Sequence, residues 1–264
     1  SARSGDMEGI MNFEKLDEKM RRFEQSLDQV ILPEMYLAAR LDGRNFTRLT
    51  KEICAFEAPF DIRFRDAMVD TTRHLLECGF RIVYGYTESD EISLLFHPDD
   101  NTFGRKTRKI NSVLAGEASA HLSLQLGVAV CFDSRVVPLP NLRCVKDYFS
   151  WRQEDAHRNS LNAHCYWMLR KKGSSAREAT GMIEGKSVAW KNELLLSEGI
   201  NYNELPSWQK RGIGLYHSVY EKKGCNPING QEVLCTRGRI ETELELKIGE
   251  EYQEWVVSLL QDPQ

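Results

Sequence analysis

The chain has 264 residues, 41% of them hydrophobic and 28% charged, enough for one large domain or two small ones with a real core. Its net charge of −4 at pH 7 argues against a protein that coats nucleic acid indiscriminately. No apolar run nears the roughly 20 residues that cross a bilayer, and no leader-like segment opens the chain, so a cytoplasmic protein with no membrane partner is expected.

SARSGD before Met7 reads as a cloning remnant, and residues 12 to 29 as an amphipathic helix with Phe13, Leu16, Met20, Phe23 and Leu27 on one stripe. EMYLAARL after Pro33 reads as a buried strand, and DGRNF follows it as a turn. Residues 61 to 78 give a helix with Phe64, Met68, Thr71 and Leu75 at helical spacing and Gly79 as its stop. RIVYGYTESDEISLLF, residues 81 to 96, is a hairpin that crowds Glu88, Asp90 and Glu91 into its turn. Residues 103 to 125 read as a helix and GVAVCFDSRVV as a strand.

The order strand, helix, strand, strand, helix, strand over residues 35 to 137 is the ferredoxin-like βαββαβ arrangement, an α+β fold. It places the first and third strands side by side and antiparallel. Asp42, at the end of one, and Asp90, at the start of the other, therefore share one sheet edge. After residue 140 the chain turns helical: residues 142 to 173 read as one long helix closed by Gly173. A hairpin follows, with Asn229-Gly230 near its turn. The expected division is a palm-like core over 30–140 and a helical and hairpin extension over 141–264, after an N-terminal segment of 1–29, all as one unit.

The seven cysteines form no CxxC pair and the six histidines no HExxH, which points to reduced thiols rather than a disulfide framework or a zinc site. Short basic runs at 105–109, 170–172, 209–211 and 221–223 read singly as solvated faces, and together they can make a local basic surface. Two acids at one sheet edge beside Gly43 suit Mg2+, which takes carboxylate and phosphate oxygens. A pair of such ions about 3.5–4 Å apart clamps the attacking and leaving oxygens of a phosphoryl displacement. Arg44 and Asn45 add donors for a triphosphate.

RLDGRNF, YTESDEISLLF, FDSRVV, DYFSWRQEDAHRNSLN, WKNELLLSEGINYNELP and KRGIG stand here in the order found in the tRNA-His guanylyltransferase family. The chain resembles that family over residues 30 to 215. The resemblance implies a polymerase-type palm that runs backwards, adding nucleotides to the 5′ end of tRNA. It implies Asp42 and Asp90 as catalytic metal ligands for two Mg2+ ions, with Gly43 supplying a backbone carbonyl. Asp42, Gly43, Arg44, Asn45, Phe46 and Thr47 match the triphosphate-binding loop, and Ser89 a nucleotide contact beside Asp90. Arg105, Lys109, Arg135, His157, Asn159 and Lys191 match positions that handle phosphate or tRNA. Glu91 is a supporting neighbour and Glu88 a solvated turn acid on this reading.

The implied chemistry activates a 5′-monophosphate with ATP, after which the 3′-hydroxyl of GTP or another nucleoside triphosphate attacks and AMP leaves. A homotetramer is implied as well. HRNS at 157–160 stands where eukaryotic members carry HINN, and Ala58 where they carry Lys. Both departures resemble the bacterial and archaeal guanylyltransferase-like proteins, which repair shortened tRNA 5′ ends by template. The alternatives are a GGDEF-type nucleotide cyclase, with a similar palm, and a catalytically silent tRNA-binding protein. His164, Tyr166 and Trp167 read as core or interface residues, and Trp151 as a helix-packing residue.

Overall fold

β1 (Tyr36–Gly43) is apolar on both sides because layers cover both faces of its sheet: Leu37, Ala39 and Leu41 face one core and Ala38 the other. The computed structural model describes residues 5–225 and 232–261. With β2 (Ile82–Glu88), β3 (Glu91–Phe96), β4 (Phe132–Leu139), β5 (Ile213–Cys225) and β6 (Glu232–Glu243), β1 forms an antiparallel sheet of order β4-β1-β3-β2-β5-β6. The order 4-1-3-2 of the first four strands is the predicted ferredoxin-like topology.

Two helices cover the first face. α3 (Ile62–Leu76) begins where the Asp61 side chain accepts from the Arg63 amide at 2.7 Å, and it buries Met68, Leu75 and Leu76. α4 (Thr107–Leu126) buries Ile110, Leu114, Ala118 and Leu122, one residue per turn, and stops at Gly127 in the left-handed conformation. The other face lies under α5 (Leu142–Lys171), capped by Asn141, and α9 (Gly249–Ser258), which close over Tyr84, Tyr86 and Leu95. Each large apolar side chain sealed in these layers contributes about 1.5–3 kcal/mol. The Tyr84 and Tyr252 hydroxyls satisfy one another at 3.0 Å inside this core.

The far half of α5 packs with α6 (Ala176–Ile183) and α7 (Val188–Ser197) in a third cluster around Leu161, Cys165, Leu195 and Tyr202. β1 continues through a tight loop into α2 (Phe46–Arg48) and a π-helical turn, Leu49–Ile53; α8 (Ser207–Arg211) leads into β5. β5 pairs with β2 from Thr87↔Ile213 to Tyr84↔Tyr216, so the second half of the chain adds a strand to the palm sheet. Asn229-Gly230, the expected turn of that hairpin, lies outside the described residues.

The N-terminal helix α1 runs Gly5–Gln25 rather than over the expected 12–29, so Leu27 lies beyond its end, and Phe13, Leu16, Met20 and Phe23 are each at least half exposed. No described residue covers that stripe. Cys54, Cys78, Cys131, Cys144 and Cys165 carry free thiols.

Candidate active site

The end of the sheet beside the Ser89-Asp90 turn collects carboxylates. Strand register sets Asp133 opposite Asp42, Asp42 opposite Glu91, and Glu91 opposite Glu88. Directly opposed residues share a face with Cβ atoms about 4.5–5.5 Å apart, and like charges so placed destabilise a sheet. Four acids thus run in a row across β4, β1, β3 and β2, with Asp90 at the turn beside them. A sheet tolerates such a row when cations neutralise it.

The loop that follows Asp42 is held by its own packing. The Gly43 amide donates to the Asp90 carbonyl at 3.0 Å, and the Arg44 amide to the Cys131 carbonyl at 2.8 Å. A Cβ on Gly43 would meet the Phe46 ring at 2.5 Å. Glycine is therefore demanded by Phe46, a reason that motif reading does not supply. Phe46 sits in the core, edge-on to Phe64 and Phe132, so only its backbone is open to a ligand. Asn45 and Ser89 both take positive φ, 61° and 52°, a cost that clusters at ligand-holding turns. Gly43, Asn45, Phe46, Thr47 and Asp90 line one open concavity.

On the other side, Asp42, Glu88, Ser89, Asp90, Glu91, Arg152, Asp155 and Asn159 line a second cavity of ≈ 240 Å³. Desolvation pushes the Asp90 carboxyl up to about 6, with the charge of Asp42 adding to it. Glu88 is pushed up to about 8, chiefly by desolvation and then by Glu91, Asp90 and Asp155. That corrects the reading of Glu88 as a solvated turn acid: β2 carries its side chain under α5, into the cavity. Glu91 is raised by desolvation but opposed by Arg152 and Arg40.

The donors toward Asp42 and Asp90 are all oxygens, and negative charge exceeds the positive charge of the nearby guanidinium groups. That suits a hard divalent cation and no soft one. Asp42, Asp90 and the Gly43 carbonyl fit Mg2+. Among the described residues no group of three or more His, Cys, Asp or Glu is set for a metal.

The residues expected to handle phosphate or tRNA divide. Asn159 lines the acid cavity and its amide donates to Asp155 at 3.3 Å. His157, half-buried, lies 3.3 Å from the Tyr202 hydroxyl, and desolvation, aided by Arg211, lowers its pKa. Arg135 is exposed on β4, opposite Arg40 and 3.7 Å from Asp133. Lys109 is exposed near the Phe103 ring, and Lys191 lies half-buried in the first turns of α7. Arg105 does not fit: it is buried and donates to the Met35 carbonyl at 2.6 Å, so it braces the entry to β1 rather than a phosphate.

Sequence reasoning missed Glu88, Arg152 and Asp155. The spacing Arg152, Asp155, Asn159 on one face of α5 was a usable signal. Trp151 also departs from its expected packing role, being 54% exposed and stacked on Arg152. His164 is core, as expected, between Phe60 and Tyr202, and desolvation lowers its pKa to about 4.

A ferredoxin-like palm with an aspartate pair at the β1–β3 edge and an adjoining loop of open backbone is the arrangement of a palm-type nucleotidyltransferase. The family model for tRNAHis guanylyltransferase matches residues 17–140, and that for the Thg1 C terminal domain matches 143–252. The chain belongs to the tRNAHis guanylyltransferase family and is a tRNA 5′-end nucleotidyltransferase. It is similar to the tRNA(His) guanylyltransferase of Debaryomyces hansenii, 31% identical over 86% of this chain and 90% of that one. It is 33% identical to that of Schizosaccharomyces pombe over 74% and 77% of the two chains. A bacterial tRNA(His) guanylyltransferase (Thg1)-like protein in complex with GTP superposes with a TM-score of 0.70 at 27% identity, covering 93% of this chain and 99% of that one. The complex with ATP gives 0.72 at the same identity and coverage. These likenesses lend no support to a cyclase or to a silent tRNA-binding protein.

Proposed function

We propose that this chain rebuilds tRNA 5′ ends in the 3′–5′ direction by template, using ATP to activate a 5′-monophosphate and GTP or another nucleoside triphosphate as the unit added. The observation that carries the reading is the register that sets Asp42 beside the Ser89-Asp90 turn. Mg2+ held by Asp42, Asp90 and the Gly43 carbonyl would neutralise charge on the transferring phosphate. The chain's own part is placement. The loop from Asp42 to Thr47 offers backbone amides and the Arg44 guanidinium to a triphosphate. Thr87, Glu88 and Ser89 also wall an apolar pocket lined by Phe60, Phe64, Met68 and Trp208, suited to a nucleobase. In the first step the tRNA 5′-phosphate oxygen attacks the ATP α-phosphate and pyrophosphate leaves. In the second the 3′-hydroxyl of the incoming triphosphate attacks the activated 5′-phosphate and AMP leaves. Both are in-line displacements that depend on positioning and charge rather than on a protein nucleophile.

Arg135, Lys109, His157, Asn159 and Lys191 are assigned to phosphate or tRNA handling on motif matching and on their exposed or cavity-facing places. HRNS at 157–160 and Ala58 favour template-directed repair over dedicated G addition. Palm contacts to metal and triphosphate read little of the base, so pairing can supply discrimination. Residues 30–140 and 141–264 act as one unit, since β5 joins the palm sheet. A cytoplasmic homotetramer fits the free thiols and the uncovered stripe of α1; no helix among the described residues is long and apolar enough to cross a membrane.

The test is a set of shortened tRNAs that differ only in the templating nucleotide, each offered the four triphosphates separately. Addition that follows base pairing supports the reading. Equal G addition whatever stands opposite replaces it with a dedicated guanylyltransferase.

A further inference from the structure

Of the acid row, Asp133 pairs at the exposed end with Arg135 at 3.7 Å, and Glu91, inside the cavity, is engaged by a buried guanidinium. One guanidinium nitrogen of Arg152 lies 3.1 and 2.9 Å from its two carboxylate oxygens. Arg40 stands 3.8 Å away, and the Ser93 hydroxyl donates at 3.4 Å. Arg152 is only 5% exposed; its other terminal nitrogen reaches Asp155 at 3.2 Å, and its plane lies 3.6 Å over the Trp151 ring. Asp42 and Glu88 flank Glu91 along the row, and Arg158 pairs with Asp155 from the solvent side.

Glu91 follows Asp90 in the chain and opposes Asp42 in register. A free carboxylate there would be a competing oxygen ligand, because nothing in the chemistry of a hard cation prefers Asp to Glu. The planar fork of Arg152 is what withdraws it, and a lysine cannot span Glu91 and Asp155 in the same way.

We propose that Arg152 is a positioning residue: by engaging Glu91 it confines divalent cations to Asp42 and Asp90 and holds the Ser89-Asp90 turn against α5. The inference rests on the metal site proposed above. Removing Arg152 should therefore tighten cation binding while misplacing the cation.

The experiment titrates Mn2+ by electron paramagnetic resonance in the presence of GTP, without tRNA, and separately follows nucleotide addition against Mg2+. The proteins are wild type, Arg152→Met, Arg152→Lys, Arg152→Met with Glu91→Gln, and Asp42→Asn. Arg152→Met should bind Mn2+ on the order of tenfold more tightly, from the uncompensated charge it exposes. Its kcat should fall on the order of 100-fold with KM for GTP little changed, as for a misplacement of about 1 Å. Glu91→Gln in that background should return the Mn2+ affinity to the wild-type value, and Arg152→Lys should fall between. Unchanged Mn2+ affinity in Arg152→Met, or a change that Glu91→Gln leaves in place, overturns the role of Arg152 alone. Wild-type protein whose Mn2+ binding is indifferent to Asp42→Asn overturns the metal site and this inference with it.

Discussion

The Gly43 amide donates to the Asp90 carbonyl at 3.0 Å, so the end of β1 and the tip of the β2–β3 hairpin are one hydrogen-bonded unit. Two aspartates 48 positions apart in the chain thereby become a fixed pair, held by backbone rather than by side-chain contacts.

Asp42→Asn and Asp90→Asn should each lower nucleotide addition by about 1,000-fold or more, as loss of transition-state charge stabilisation does. Neither should lower the melting temperature, because each removes a like-charge contact and no packing. Incorporation of labelled GTP into a shortened tRNA, beside a thermal melt, checks both halves. Near-normal turnover in either variant would remove the aspartates from the mechanism.

The raised carboxyls make metal-free stability depend on pH. Glu88, ordinarily near 4.5, is pushed up to about 8, and Asp90, ordinarily near 3.8, up to about 6. Between pH 4 and 8 the folded chain thus binds more protons than the unfolded chain, and stability from these groups is lost as pH rises through that window. The metal-free protein should melt higher at pH 6 than at pH 8, and Glu88→Gln should flatten the difference. Added Mg2+ should raise the melting temperature more at pH 8. A melting temperature that climbs steadily to pH 8 in chelator would contradict the burial of these acids.

Gly43→Ala should cost about 1–3 kcal/mol, the usual range for forcing extra volume into packed surroundings. The new methyl would meet the Phe46 ring at 2.5 Å and push the loop after β1 off the sheet. Urea unfolding should show a lower midpoint, with KM for GTP raised in the fraction that stays folded. An unshifted midpoint would mean that Phe46 moves freely.

Arg105 and Lys109 should separate cleanly. Arg105→Ala strands the Met35 carbonyl, a loss of about 1–3 kcal/mol of stability, with tRNA binding by the folded protein unchanged. Lys109→Ala should leave stability unchanged and lower the salt slope of tRNA binding by about one. Filter binding over a range of salt concentrations, alongside melts, distinguishes them. A weakened salt slope in Arg105→Ala would return it to the phosphate contacts.

The palm topology was legible because its determinants are local. Alternating and helical periodicities each act within a few residues, and the βαββαβ order then forces β1 and β3 together. That order alone brought Asp42 to Asp90, and ordered motifs identified the chemistry. Other matters depend on which way a side chain turns and what lies above it. Glu88 looked solvated because a turn acid has no visible partner in sequence; it is half-buried in a cavity that α5, more than 50 positions later, helps to wall. Arg105 sat in a basic run and looked like a phosphate contact until the backbone of Met35 claimed it. Gly43 is required by Phe46, and Glu91 is committed to Arg152, for the same reason. Sequence by itself determined the family, the palm sheet and with it the pairing of Asp42 and Asp90, since period and order carry them. Only the tertiary structure decided which charges are compensated, because compensation is a matter of ångströms between elements that the chain order does not measure.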